Sequence, residues 1–408
     1  MSILTRQTKV ELKDSNIALL GSDLELKVRQ HAGDSEPAWS GVGQKEGVKI
    51  WRVEKFKLVG WPRPDEPYRA HDRYGLFFDG DSYIVLHTYK ESDSADRLLH
   101  DVHFWLGKES TQDEAGTAAY KTVELDDHLQ PEGGAVQYRE AQGHESDRFL
   151  ALFPHFLVVK GGVSSGFHHP GAIFPSKARK IYRMWTIRGK LNLKSSGAKE
   201  QKQLITYELS FEGLTIEQGG VYVYDDSDHI YVYNTKSSSA WDRYKVGEYV
   251  MSMGYCRTVG FNGYAVFDEG TKGDTEFLKL VGVDSVTPAH SRVYEEAFGP
   301  PATLYRLKEV VPQLDLEPIS LARSELKSDG MYILDDYANA HHPVVYVWVG
   351  NGVTLNARFA LTHGETYLRE KKEKLSRKGQ HVSLSVAVVR IKEGQETPPF
   401  LKAFEAAQ

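Results

Sequence analysis

Apolar and polar residues alternate along three stretches of the chain in one recurring order. VKIWRVEKFKLV from Val48, RKIYRMWTIRGKL from Arg179 and ATLYRLKEVV from Ala302 each read as an opening strand, since period-two alternation sends successive side chains to opposite sheet faces. An acidic or glycine turn leads each into a second strand: DGDSYIVL at Asp79, QGGVYVYD at Gln218 and KSDGMYILD at Lys327. Third strands follow, HDVHFWLG at His100, HIYVYN at His229 and VVYVWVG at Val344. The period then lengthens, predicting helices from about Thr111 to Leu129, Ala240 to Met253 and Leu355 to Leu375. A repeat this long means three tandem copies of one α+β domain rather than a solenoid. Each copy is a central mixed β-sheet with helices packed on its faces.

The limits follow from the punctuation between copies. Asp14-Ser15-Asn16 is a good helix start for a short helix through Leu20 to Val28, and the Gly-, Ser- and Pro-rich segment from Gln30 to Gly47 reads as a linker. KGGVSSGFHHPG from Lys160 and AFGPPA from Ala297 read as hinges. The expected division is a leader over 1–46 and domains over 47–166, 167–298 and 299–408.

The helix after the first set of strands carries the most detail. Thr111-x-x-Glu114 is a capping-box signal, and Gln112 and Asp113 suit a first turn. Ala115, Ala118, Ala119 and Thr122 form a small-residue face able to lie close on a sheet, while Tyr120 and Val123 fall elsewhere on the wheel. Asp126 and Asp127 occupy the last turn, where negative charge opposes the helix dipole. An exposed surface tolerates that placement, and a bound cation would turn its cost into a gain.

Composition narrows the function. At 408 residues, 40% hydrophobic and 26% charged, the chain is globular in composition, and no apolar run approaches a membrane span. The opening Met1-Ser2-Ile3-Leu4-Thr5-Arg6 lacks a secretory h-region, and Cys256 is the one cysteine, so a reducing cytoplasm is expected and a cysteine-based zinc site is excluded. A net charge of -6 argues against a nucleic-acid-coating protein. The basic stretch from Lys177 to Lys202 reads either as a solvated loop and edge strand or as a site for an acidic partner, such as a filament side or phosphoinositide headgroups. An enzyme reading has little support: there is no Walker loop, and GVGQKEG at Gly41 has the wrong glycine spacing. His168-His169, His341-His342 and the His100 and His103 pair lack the partners of a closed zinc site and read as surface or strand histidines.

With EPAWSGVG, VKIWRVEKFKLV, YGLFFDGDSYIVLHTYK, HDVHFWLG, TQDEAGTAAYKTVELDDHL, AVQYRE and KGGVSSGFHH, the first repeat resembles the first domain of gelsolin-family proteins, nearest to severin and fragmin. The leader DSNIALLGSDLELKVR is similar too, whereas repeats two and three match through strand pattern and helix placement. The resemblance implies three gelsolin-like domains that bind actin monomer and filament, with calcium as cofactor and a cytoskeletal location. It implies filament severing and barbed-end capping, the alternative being a capping or monomer-sequestering module that does not sever.

Site residues follow from the same resemblance. The long helix of the first domain wedges between two actin subdomains, so actin contacts are expected at Gln112, Gly116, Tyr120, Val123 and Asp127, and beyond the helix at Phe167 and His168. Asp126 with backbone oxygens of Gly133 and Ala135 is the expected calcium site shared with actin. A second calcium site is expected from the Gly80 backbone oxygen, the Asp81 and Glu109 carboxylates and the Val163 backbone oxygen, an oxygen-only set that suits this ion. Lys190 and Arg243 stand where filament-side contacts are expected, with Leu191 where another base would be. Repeat two has Gly219-Gly220 and repeat three Asp329-Gly330 where repeat one has Gly80-Asp81, so one tight calcium site is expected in the chain without actin.

Overall fold

The computed structural model describes residues 36–54, 57–62, 74–90, 97–110, 112–129, 134–162, 179–189, 201–255, 264–288, 302–309, 314–336, 344–353, 360–377 and 386–404. The first unit comprises β1 (Gly47–Glu54), β2 (Lys57–Trp61), β3 (Leu76–Phe78), β4 (Ser82–Lys90), β5 (Leu98–Leu106), α1 (Gln112–His128), β6 (Val136–Ala141), α2 (Asp147–Leu150) and β7 (His155–Val159). The second comprises β8 (Lys180–Gly189), β9 (Gln201–Leu209), β10 (Ile216–Glu217), β11 (Val221–Asp225), β12 (Ile230–Asn234), α3 (Ala240–Tyr255), β13 (Tyr264–Asp268), α4 (Asp274–Val281) and β14 (Val286–Thr287). The third comprises β15 (Thr303–Glu309), β16 (Asp315–Ile319), β17 (Met331–Asp336), β18 (Val344–Val349), α5 (Ala360–Ser376), β19 (Ala387–Lys392) and α6 (Pro398–Ala403).

One topology is used three times. The opening strand pairs antiparallel with its hairpin partner and with the second strand, the second pairs antiparallel with the third, and the third pairs parallel with the strand beyond the long helix. Alternation along each strand divides its side chains between two covered faces. Ile84 and Leu86 of β4 join Ala118 and Leu125 of α1 and Leu129 just beyond it, while Tyr83 and Val85 join Phe149 and Leu150 of α2. Burial on both faces is why β4 and β18 read as nearly continuous apolar runs.

A shared device anchors the corner beyond each long helix. The next-to-last residue of the third strand, Trp105, Tyr233 or Trp348, donates to Glu145 (3.0 Å), Asp274 (2.6 Å) or Glu396 (2.8 Å). The same carboxylates accept the backbone N–H of Gly143, Gly270 and Gly394. Each of these glycines has positive φ, a conformation costly for other residues.

Two sequence readings change. VKIWRVEKFKLV is a hairpin, with Glu54 opposite Lys57, because its alternation breaks at a tight reversal. RKIYRMWTIRGKL contains β8, which lies between β9 and β11 and is not an edge strand. Its basic residues are partly neutralised there: Lys180 pairs with Glu208 at 3.1 Å and Arg183 with Glu217 at 2.8 Å. The end of the expected leader also joins the first core, since Trp39 is buried edge-on against Trp51 and Glu36 pairs with Lys121. The expected helix from Leu20 and most of both hinges lie outside the described residues.

The units join through their sheets. β6 pairs antiparallel with β19, giving a ten-stranded sheet from β2 to β16 that spans units one and three. β3 and β7 of the first unit extend the second unit's sheet through β7 and β9. At that joint Glu145 also accepts from Tyr207 at 2.7 Å. His155 meets Thr206 at 2.9 Å and the Tyr249 ring, and burial lowers its pKa to about 4, so it is neutral at ordinary pH.

Candidate functional site

Helix α1 lies on the ten-stranded sheet with Ala118 and Thr122 buried, as its small-residue face demands, and the Thr122 hydroxyl donates back to the Ala118 carbonyl at 2.8 Å. Its outer side carries Tyr120, 37% exposed, and half-buried Val123 and Asp127. Gln112 and Gly116 lie on the same helix, while Phe167 and His168 lie outside the described residues.

Asp126 has an environment the sequence did not disclose. It is buried at the seam between units one and three, where one carboxylate oxygen accepts from the Ala135 backbone N–H at 2.7 Å and the other from Arg390 at 2.6 Å. Lys392 is a second cation at 3.2 Å. Burial alone would raise the Asp126 pKa, but Arg390, Lys392 and the Ala135 N–H outweigh it and hold the carboxyl below its ordinary value. For Lys392 the balance reverses: burial and neighbouring Arg390 lower its pKa against the pull of Asp126, making Arg390 the firmer partner. Arg139 of β6 also reaches Glu365 of α5 at 2.8 Å. Arg390 and Lys392 sit two apart on β19 and therefore share a face, a period visible in VVRIKEG. Nothing in the sequence pairs them with an aspartate more than two hundred residues away.

The second expected site gathers where β4 begins and β5 ends. Asp81 is fully buried, and one of its oxygens takes the Arg52 guanidinium at 2.6 Å. That guanidinium lies 4.9 Å over the Phe78 ring and 5.3 Å from the Trp61 ring. The other Asp81 oxygen faces Gly162, where an added Cβ would come within 2.8 Å, so only glycine lets the chain pass. Gly80 and Glu109 are tied in by backbone bonds, Gly80 N–H to Gly161 O at 2.8 Å and Glu109 N–H to Asp79 O at 2.8 Å, with the Glu109 side chain exposed. Asp79 is raised above its ordinary pKa, by burial first, with the Glu109 charge adding to it. Arg52 already pairs with Asp81, so calcium here would have to share or displace that guanidinium, while the donor types, carboxylate and backbone oxygen, are those calcium takes. Among the described residues no group of three or more His, Cys, Asp or Glu converges to hold a metal. The set therefore depends on backbone oxygens, and Val163 and Gly133 lie outside the described residues.

The equivalent corners of units two and three are closed by internal bonds. Gln218, in the place of Asp79, donates its amide to both Glu269 oxygens at 2.7 and 2.6 Å, and Glu269 accepts the Lys236 N–H. Ser328 donates to Glu393 at 2.7 Å, and Glu393 accepts the Asn351 N–H. Asp242 is a helix cap: Ser239 and Asp242 exchange backbone-to-side-chain bonds, and the Thr186 N–H and hydroxyl both donate to Asp242 at 2.6 Å.

On α3, Arg243 is half-exposed and turned onto its own unit, donating to the Ser238 hydroxyl at 3.0 Å and the Thr235 carbonyl at 3.3 Å, with Asp268 at 3.7 Å. Lys190 lies outside the described residues, as do His168, His169, His341 and His342. His100 bonds Thr88 and His103 bonds Glu140, so both are strand histidines with partners inside the first unit.

Fold and sites together define a protein of three tandem α+β repeats, each with a long helix packed on its sheet. A family model described as Gelsolin repeat matches residues 73–150. The chain is 34% identical over 367 residues to Gelsolin-like protein 1 of Lumbricus terrestris, covering 89% of each chain. It is 33% identical over 360 residues to Gelsolin-like protein 2 of the same organism, covering 87% of this chain and 88% of that one. It is 30% identical over 351 residues to "Actin depolymerising venom protein gelsolin 1" of Platymeris rhadamanthus, covering 83% of this chain and 85% of the relative. The chain belongs to the gelsolin/villin superfamily. Among the described residues no helix is long and apolar enough to cross a membrane.

Proposed function

We propose that this chain binds actin monomer and filament, severs filaments and caps their barbed ends under calcium control, in the cytoplasm. The observation that carries the reading is α1, whose outer side presents Tyr120 and Val123 while its last turn holds Asp126 beside the Ala135 backbone. Tyr120, Val123, Gln112, Gly116 and Asp127 are the proposed monomer grip, with Phe167 and His168 beyond it, and Lys190 and Arg243 the proposed filament-side grip. Joining the two grips in one chain raises the local concentration of α1 at subunit contacts, so non-covalent competition alone opens the filament. Calcium, when bound, supplies positive charge to Asp81 and Glu109 with the Gly80 and Val163 carbonyls, and to Asp126 with those of Gly133 and Ala135. Arg390 and Lys392 hold the Asp126 carboxylate, so calcium would reach it only when units one and three part.

A length assay on preformed filaments, with calcium and with chelator, tests the reading. Immediate shortening in calcium alone is expected. Filaments that stop growing without shortening would replace severing by capping or sequestration.

A further inference from the structure

Helix α3 carries an exposed aromatic pair beside Arg243. Trp241 is 49% and Tyr244 60% exposed, and their rings meet edge to face at 5.7 Å. Large apolar side chains are normally covered, and two adjacent exposed aromatics are the kind of group that anchors an interface. Their direction is set from below. The reciprocal Ser239 and Asp242 cap and the two bonds from Thr186 pin the first turn, and Val246 and Val250 are buried in the second unit's core. With that turn fixed, Trp241 and Tyr244 are held outward before any partner arrives, which lowers the ordering cost of binding. Arg243 is already engaged by three groups of its own unit, so its charge is only partly available and the rings are the larger resource. Lys245, 5.9 Å from the Tyr244 ring, adds a cationic margin.

The repeat identifies the partner. α1 and α3 begin at the same distance from the end of the preceding strand, Leu106 to Gln112 and Asn234 to Ala240, so Tyr244 stands where Gly116 stands in the proposed monomer grip. We propose that Trp241 and Tyr244 are the apolar anchor of the filament-side grip, docking on an actin subunit other than the one held by α1. The inference rests on the actin-binding reading and adds to it that side binding is mainly apolar. Charge contacts between exposed groups weaken with salt, whereas apolar burial does not.

The test uses the full-length chain in calcium and measures co-sedimentation with preformed filaments at low and at physiological salt. Trp241→Ala with Tyr244→Ala should weaken pelleting about tenfold or more at both salts. Monomer binding by fluorescence titration and the thermal midpoint should match the parent, and Trp241→Phe with Tyr244→Phe should restore most of the pelleting. A double alanine variant that pellets within twofold of the parent, or a loss confined to low salt, overturns the aromatic anchor alone. A parent that does not pellet with filaments at all overturns the actin-binding reading as well.

Discussion

Burying an ionised carboxylate is tolerable only where its charge is paired and its oxygens are bonded. Asp126 satisfies both conditions through groups from two units: Ala135 of its own and Arg390 and Lys392 of the third. Removing Arg390 strands that charge, and losing one member of a buried pair typically costs about 3–5 kcal/mol. Arg390→Ala with Lys392→Ala should therefore part units one and three without calcium, seen as a larger radius in small-angle scattering and as a lower calcium requirement for filament shortening. An unchanged radius would mean that the strand pairing alone holds the seam. The pH dependence follows from the depressed Asp126 pKa. Its contribution is complete above the ordinary carboxylate value of about 3.9 and is lost only as pH falls through the lower folded value. Titration of Asp126 should leave the seam unaffected between about pH 5 and 8.

Helix α1 combines two jobs on one cylinder. Its buried side uses Ala118 and Thr122 to approach the sheet, and its outer side keeps Tyr120 exposed. Tyr120→Asp with Val123→Asp should weaken monomer binding by about tenfold or more while changing stability by only about 1 kcal/mol. Fluorescence titration and thermal melts measure the two effects separately, and unchanged affinity would remove α1 from the grip. The helix was legible in the sequence because its capping signal, small-residue face and length agree, and it spans Gln112–His128 against an expected Thr111 to Leu129. The hairpin of β1 and β2 was not, because its turn at Glu54 and Lys57 carries no glycine, proline or asparagine to mark it. The parallel strands β6, β13 and β19 were missed because each stands beyond a helix, where nothing local shows what it pairs with.

At the scale of the whole molecule, three copies of one fold have come to hold their corners differently. Unit one keeps Asp79, Asp81 and Glu109 at the corner, whereas Gln218 with Glu269 and Ser328 with Glu393 close the others by hydrogen bonds that need no cation. Isothermal titration of the chain without actin should therefore find one tight calcium site, abolished by Asp81→Ala. Two tight sites, or one that survives the substitution, would contradict this assignment. The proposed Asp126 site, in contrast, is covered from the third unit, because Arg390 and Lys392 belong to β19.

The sequence by itself determined the repeat, the opening, second and third strands of each copy and the long helices. All of these rest on local periodicity. Only the tertiary structure decided that β6 and β19 join two units into one sheet, that the cation facing Asp126 is Arg390, and that Trp241 and Tyr244 stay exposed. Strand edges pair through backbone groups that every residue carries, so the choice of partner strand leaves little trace in side-chain pattern. Ion pairs across such a seam form between residues hundreds of positions apart, and whether an aromatic ring is covered depends on what the rest of the chain leaves open.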